Sequence, residues 1–256
     1  MKIALIQTHL SWEDPQANRD NFTNKIKSIK EKPDLIVLPE TFATGFTMKP
    51  HNVAEAPDGK SVTWMKETAA EHNCAITGSL VIKEDSRYYN RMYFVEPGGK
   101  TTIYNKRHLF TLAGEDEEYT PGREKVIVDY KGWKICLQVC YDLRFPVFVR
   151  NVEDYDMLLY PANWPDQRIL AWDTLLPARA IENMCYVIAV NRVGEDDKGN
   201  MHSGHSQVID YLGGYMLEPQ EADDVFIVTL DKDAKAKARE KYGFLNDRDS
   251  FTLQEG

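Results

Sequence analysis

The sequence predicts an α/β fold: a four-layer αββα sandwich of two mixed sheets packed face to face, with helices on both outer faces. Three observations predict it. Short, wholly apolar runs recur along the chain, as in strands buried on both faces. Longer segments with one apolar face separate some of these runs, so strand–helix–strand units occur in both halves. Other runs are joined by tight turns, at Pro97-Gly98-Gly99 and Lys131-Gly132, which one doubly wound sheet would not use.

KIALIQT reads as a first buried strand, and Asn18 to Lys32 as a helix with Phe22, Ile26 and Ile29 on one face, stopped by Pro33. DLIVL is the second strand. Ser61 to His72 is helical, with Ser61 as its N-cap and Trp64 and Met65 offered to the core. CAITGSLVI is the third strand. RMYFVEPGGKTTIYNKRHL and KVIVDYKGWKICLQVCYD each read as two strands across a turn, with the acidic loop TLAGEDEEYTPGRE between them. Phe148 to Glu153 suits a short helix and DMLLYPAN a strand. Ile169 to Met184 suits a longer helix that Pro177 kinks or restarts. YVIAVNRVG is a strand, SQVIDYLGGYML a hairpin, VFIVTLD the last strand and Ala234 to Tyr242 a charged helix. No repeat, low-complexity tract or linker divides the chain. One domain over residues 1–256 is expected, with a C-terminal helix and tail from about residue 232.

Thirty-one lysines and arginines stand against 40 acids, a net charge of -9. That balance disfavours nucleic acid and anionic membranes, because no basic excess releases counterions. No window supplies the roughly 18 apolar residues a membrane span needs. The first residues lack a cleavage site, and Cys74, Cys136, Cys140 and Cys185 sit in apolar surroundings without a disulfide framework. A reducing cytoplasm is the expected setting. Cys136 and Cys140 have no partner pair to complete a zinc set, so a metal reading is weak, and no organic cofactor is called for.

Three polar residues follow apolar runs, where α/β sheets gather ligands. Glu40 leaves PDLIVLP between apolar flanks, a partly dry setting in which a carboxylate works as general base or acid near neutral pH. The bland alternative is a solvated loop carboxylate. Cys140 ends KICLQVC, and the turn beginning CYD offers N–H groups expected to stabilise a thiolate or hold an oxyanion. Its alternative is a small buried hydrophobe. Lys106, in IYNKRHLF, is covered by HLFTLAG and so needs a carboxylate, which Glu40 or the GEDEEY loop can supply. Replacing it by methionine is expected to leave folding nearly intact. His108, His202 and His205 compete as bases for a Cys–His pair but carry no signature of that role, and read as structural.

Taken together, PDLIVLPETFATGF, YNKRHLF, GEDEEYTPG, GWKICLQVCYDLRFP, YPANWP and ARAIENMCYVIAVNRVG resemble the nitrilase superfamily of carbon–nitrogen hydrolases, most closely its ω-amidase branch. The likeness runs from Met1 to about residue 230. It implies the αββα sandwich, a homodimer and hydrolysis of small dicarboxylic monoamides such as 2-oxoglutaramate and 2-oxosuccinamate. It implies Cys140 as nucleophile, Glu40 as general base and acid, and Lys106 as the charge-stabilising lysine. A second glutamate, counted back from Pro121-Gly122, falls at Glu115, with Asp116, Glu117 and Glu118 leaving the registration open. The backbone N–H of Tyr141 would join Lys106 around the oxyanion.

Phe46, Asn163 and Trp164 are candidate pocket walls, against a reading as plain core or loop packing. Arg144 is a candidate for the substrate carboxylate, or else braces the turn through Asp142. Three alternatives stay open: another amidase or carbamoylase of the same family, a metal-dependent αββα phosphodiesterase, and a non-catalytic binding module. The late HSGHSQVID lacks the Ser-Asp-His that the phosphodiesterase would carry.

Overall fold

Alternate residues of the first strand belong to different cores, and this sets the layers. In β1 (Lys2–Gln7), Ile3 and Leu5 join the large apolar cluster between the sheets. Ala4 and Ile6 join a second cluster beneath helices, as the period of two in a pleated strand requires. The structure, a computed structural model, describes residues 1–253.

Along the chain come β2 (Leu35–Val37), β3 (Ala75–Glu84), β4 (Arg87–Val95), β5 (Thr101–Asn105), β6 (Val126–Tyr130) and β7 (Trp133–Leu137). Next are β8 (Met157–Pro161), β9 (Tyr186–Val190) and a small ribbon of β10 (Val193–Glu195) and β11 (Met201–Ser203). The last are β12 (Ser206–Ile209), β13 (Tyr215–Gln220) and β14 (Asp224–Thr229). Two six-stranded sheets result, ordered β14-β1-β2-β3-β4-β5 and β13-β12-β9-β8-β7-β6. Each holds a parallel trio, β1-β2-β3 or β7-β8-β9, flanked on both sides by antiparallel strands.

Helices Pro15–Lys27 and Lys60–His72 cover the first sheet with Phe22, Ile26, Val62, Met65 and Ala69. Helix Ile169–Asn183 sets Trp172, Leu176 and Ala180 against the second. No helix among the described residues is long and apolar enough to cross a membrane.

Several boundaries differ from those read in the sequence. The first helix begins at Pro15, because Asp14 caps it by accepting from the Ala17 N–H at 3.0 Å, and it ends at Lys27, well before Pro33. Asn18, inside it, ties Ser11 and Ala43 together instead. Ser61 is not an N-cap. It lies in the first turn, where Glu55 accepts from both its N–H and its hydroxyl at 2.6 Å. Pro177 neither breaks nor restarts its helix, which runs unbroken from Ile169 to Asn183. The acidic loop contains a 3₁₀ turn, Thr111–Ala113, and a short helix, Glu115–Glu118.

Strand direction decides at which edge of each sheet the loops emerge. β5 lies two antiparallel steps from β3 and so runs the same way as β2. Lys106 therefore leaves the first sheet at the edge where Glu40 does. In the second sheet β7 and β8 are parallel neighbours, so Cys140 and Asn163 leave at one edge as well.

Candidate active site

The Glu40 loop is seated on β3. The Leu38 N–H donates to the Thr77 carbonyl (2.8 Å), the Thr41 N–H to Ser79 Oγ (2.8 Å) and the Phe42 N–H to the Ser79 carbonyl (3.1 Å). Gly78 makes the approach feasible, since a Cβ there would stand 2.9 Å from Leu38 Cβ and 3.0 Å from Phe42 Cδ1. Thr41 is held at φ +41°, a left-handed conformation costing a non-glycine residue about 1–3 kcal/mol, which the surrounding contacts offset. Glu40 is left 1 % exposed. Its Oε2 accepts from the Asn163 N–H (2.8 Å), and its Oε1 from Asn90 Nδ2 (2.8 Å) and Lys106 Nζ (2.9 Å).

Lys106 is fixed from both sides. Its N–H donates to the Asn90 carbonyl and its carbonyl accepts from the Gly122 N–H, each at 2.9 Å. A Cβ on Gly122 would lie 2.1 Å from the Asn105 carbonyl oxygen, so only glycine can follow Pro121 here. The ammonium also donates to Glu115 at 2.9 and 3.1 Å and stands 5.0 Å from the centre of the Phe46 ring. Within 115–118 only Glu115 is buried, and its Oε2 accepts from the Phe110 N–H at 2.6 Å.

Burial opposes the charge on Lys106, but the carboxylates of Glu115 and Glu40 outweigh it and hold the pKa above its ordinary value. The lysine stays an ammonium. Two carboxylates share that one cation. Burial raises the Glu115 carboxyl, Lys106 opposes the rise, Glu40 adds to it, and the net direction is up.

Cys140 opens a 3₁₀ turn, Cys140–Arg144, at φ +45°. The turn is pinned by its own Asp142, which is fully buried. Asp142 accepts from the Val139 N–H (2.9 Å), the Tyr104 hydroxyl (2.7 Å) and the His108 N–H (3.0 Å), and meets His108 Nδ1 at 2.7 Å. Arg144 therefore does not brace the turn through Asp142: its guanidinium lies over Trp164, 5.1 Å from the ring centre.

The expectation of a stabilised thiolate fails. Burial pushes the Cys140 thiol well above its ordinary pKa, the charge of Glu40 adds to this, and Lys106 only partly opposes it. At rest the sulfur keeps its proton, whose loss both burial and the nearby Glu40 disfavour.

A pocket opens over Cys140 and Lys106, with Phe46, Tyr141, Asn163 and Trp164 in its lining. Asn163 does more than form a wall. Besides its N–H on Glu40, its Nδ2 donates to the Glu40 carbonyl (2.5 Å) and Thr41 Oγ1 (3.2 Å), joining the two sheets. His202 also lines the pocket. Burial and then the charge of Arg192 lower its pKa to about 4, so the ring is neutral at pH 7, with Nδ1 near the Gly194 and Asn200 carbonyls. Sequence reasoning missed Asn90, which donates to both Glu40 and Glu115, and Arg168, which lines the pocket. Among the described residues no three His, Cys, Asp or Glu converge as metal ligands.

A buried carboxylate bonded to an ammonium that lines one pocket with a thiol can shuttle a proton, steady an oxyanion and form a covalent adduct. On two packed mixed sheets this defines a class: the chain belongs to the carbon–nitrogen hydrolase family, whose model matches residues 2–240.

Within that family it is similar to omega-amidase YafV of Escherichia coli K12, 43 % identical over 99 % of this chain and 98 % of the relative. It is 32 % identical to a 2-oxoglutaramate amidase of Bacillus subtilis, over 96 % of both chains. Among solved structures it superposes, with a TM-score of 0.97, on XC1258 of Xanthomonas campestris. That CN-hydrolase superfamily protein carries an arsenic adduct in its active site, and the match has 43 % identity over 99 % of both chains.

Proposed function

We propose that the protein is an ω-amidase, hydrolysing the terminal amide of a small dicarboxylic monoamide of the 2-oxoglutaramate or 2-oxosuccinamate type. The observation that carries this reading is the placement of Glu40. Its buried carboxylate accepts from the Lys106 ammonium at 2.9 Å and bears electrostatically on the Cys140 thiol, which lines the same pocket as Lys106. The full-length likeness to an omega-amidase and a 2-oxoglutaramate amidase supports the substrate class.

The chemistry follows from the resting protonation states. Glu40 takes the thiol proton as sulfur attacks the amide carbonyl, so no free thiolate has to persist. Lys106 and the Tyr141 N–H receive the oxyanion. Glu40 returns the proton to the departing nitrogen, ammonia leaves and a thioester remains. Glu40 then takes a proton from water, hydroxide adds to the thioester, and sulfur departs with that proton as the acid is released. Glu115 keeps Lys106 oriented. A neutral, backbone-bonded His202 gives no support to a Cys–His pair.

Side-by-side assays of 2-oxoglutaramate, an N-carbamoyl acid and a nitrile test the reading. Ammonia is expected from the ω-amide, with a loss on the order of 10⁴-fold or more in Cys140→Ala. Turnover of the others with none of the ω-amide would redirect the assignment within the family. The reading also carries a cytoplasmic homodimer, supported by the family resemblance and by four unpaired cysteines. Light scattering should return twice the chain mass, and a single chain mass would remove the dimer.

A further inference from the structure

We propose that Arg168, with Arg144 beside it, reads the free carboxylate of the substrate; this rests on the amidase reading above. Both guanidinium groups line the pocket that holds Cys140 and Lys106. Each lies on an aromatic face, Arg168 over Phe110 at 4.8 Å and Arg144 over Trp164 at 5.1 Å. Stacking of this kind orients the planar fork while leaving its N–H edge free for a carboxylate.

What sets the two apart is the lack of a protein partner. Among the described residues neither side chain makes a hydrogen bond or ion pair. Other sheltered arginines do: Arg19 meets Glu55 at 3.3 Å, Arg91 meets Glu84 at 2.6 Å and Arg179 meets Glu182 at 3.1 Å. Both are sheltered rather than solvated, and both stay without an acid in a chain that has 40 acids against 31 bases. Asp196, the acid in the same lining, is already engaged by the Lys198 and Asn200 N–H groups and by Asn200 Nδ2, each at 2.9 Å.

The position is built rather than incidental. Arg168 ends the 3₁₀ turn Asp166–Arg168, where its N–H donates to the Pro165 carbonyl at 3.0 Å. Its own carbonyl accepts from Trp164 Nε1 at 2.8 Å. The indole that carries Arg144 therefore also fixes the backbone of Arg168. Each guanidinium repels the other, and burial with that repulsion lowers the Arg168 pKa. An arriving carboxylate relieves both costs. A monoamide whose amide lies over Cys140 has its other end free to reach this pair, whereas a neutral amide offers the pair nothing.

The test compares kcat/KM for 2-oxoglutaramate with that for pentanamide, a neutral amide of equal chain length. In Arg168→Gln the ratio of the two should fall by about 10- to 100-fold, as expected for a lost charge-assisted hydrogen-bonding pair, chiefly through KM. Arg168→Lys keeps the charge without the fork and should retain an intermediate ratio, which unfolding would not produce. A ratio unchanged in Arg168→Gln, or equal losses on both substrates, overturns the inference and leaves the amidase reading standing. Failure of the unaltered protein to release ammonia from either amide removes that reading, and the inference falls with it.

Discussion

Lys106→Met is expected to lower turnover on the order of 10³-fold and to destabilise the protein by about 3–5 kcal/mol at pH 7.5. The first effect follows from losing the cation beside the oxyanion. The second reverses the sequence-based expectation of nearly intact folding, and burial is the reason. Lys106 is 1 % exposed and bonded to two carboxylates that are themselves 1 % and 0 % exposed. Methionine fills the volume but leaves both acids without their cation.

The pH dependence has a definite sign. The folded-state Glu115 carboxyl is already above its ordinary pKa, and removing Lys106 raises it further. A folded-state value above the unfolded one means that the folded form binds more protons. The deficit is therefore full above the folded pKa and shrinks as pH falls toward the ordinary glutamate range. Urea unfolding of both proteins at pH 7.5 and 5.5 reads this directly. Equal stabilities at pH 7.5, or a deficit that grows on acidification, would mean that the buried carboxylates do not depend on the lysine.

Three of the site residues illustrate what a sequence can carry. Glu40, Lys106 and Cys140 each follow a run whose apolar character marks a strand, so their exit from a sheet is a local fact that can be read from adjacent residues. The unbroken apolar run IALI likewise marks a strand buried on both faces, each of which meets a core of its own. Asn90 is different. It lies inside β4 with nothing around it to mark it, and it matters only because the β3–β4 register and the Glu115 turn bring two carboxylates to its amide.

Arg144 and Asp142 lie two residues apart in one turn, and spacing cannot decide which of them braces it. The carboxylate took the backbone donors because those donors point inward, while the longer cation reached Trp164. The protonation of Cys140 was equally out of reach, since it depends on how completely the second sheet and the Glu40 loop dry the sulfur.

Glu40→Gln should separate two roles that a simple loss of activity would merge. Turnover is expected to fall on the order of 10³- to 10⁴-fold, because the departing nitrogen no longer receives a proton. Alkylation of Cys140 by iodoacetamide at pH 8.5 should survive within about tenfold of the unaltered protein, since it needs only the thiolate. After burial, the charge of Glu40 is the largest influence raising the Cys140 pKa, and Lys106, ahead of the Asn163 N–H, is the larger of the two lowering it. Removing the carboxylate charge leaves Lys106 less opposed, so the thiolate becomes easier to form even as its base is lost.

Glutamine is not a silent replacement. Asn163 N–H donates to one oxygen of Glu40, and Asn90 and Lys106 donate to the other, so the new amide must turn its NH₂ toward a donor. A stability loss of about 1–3 kcal/mol should accompany the change. Peptide mapping assigns the label, because Cys74, Cys136 and Cys185 are wholly buried and burial raises their thiols, to about 11 and about 12 for the first two. Alkylation lost as completely as turnover would make Glu40 indispensable for deprotonating the sulfur. Retained turnover would move the general acid and base to another group.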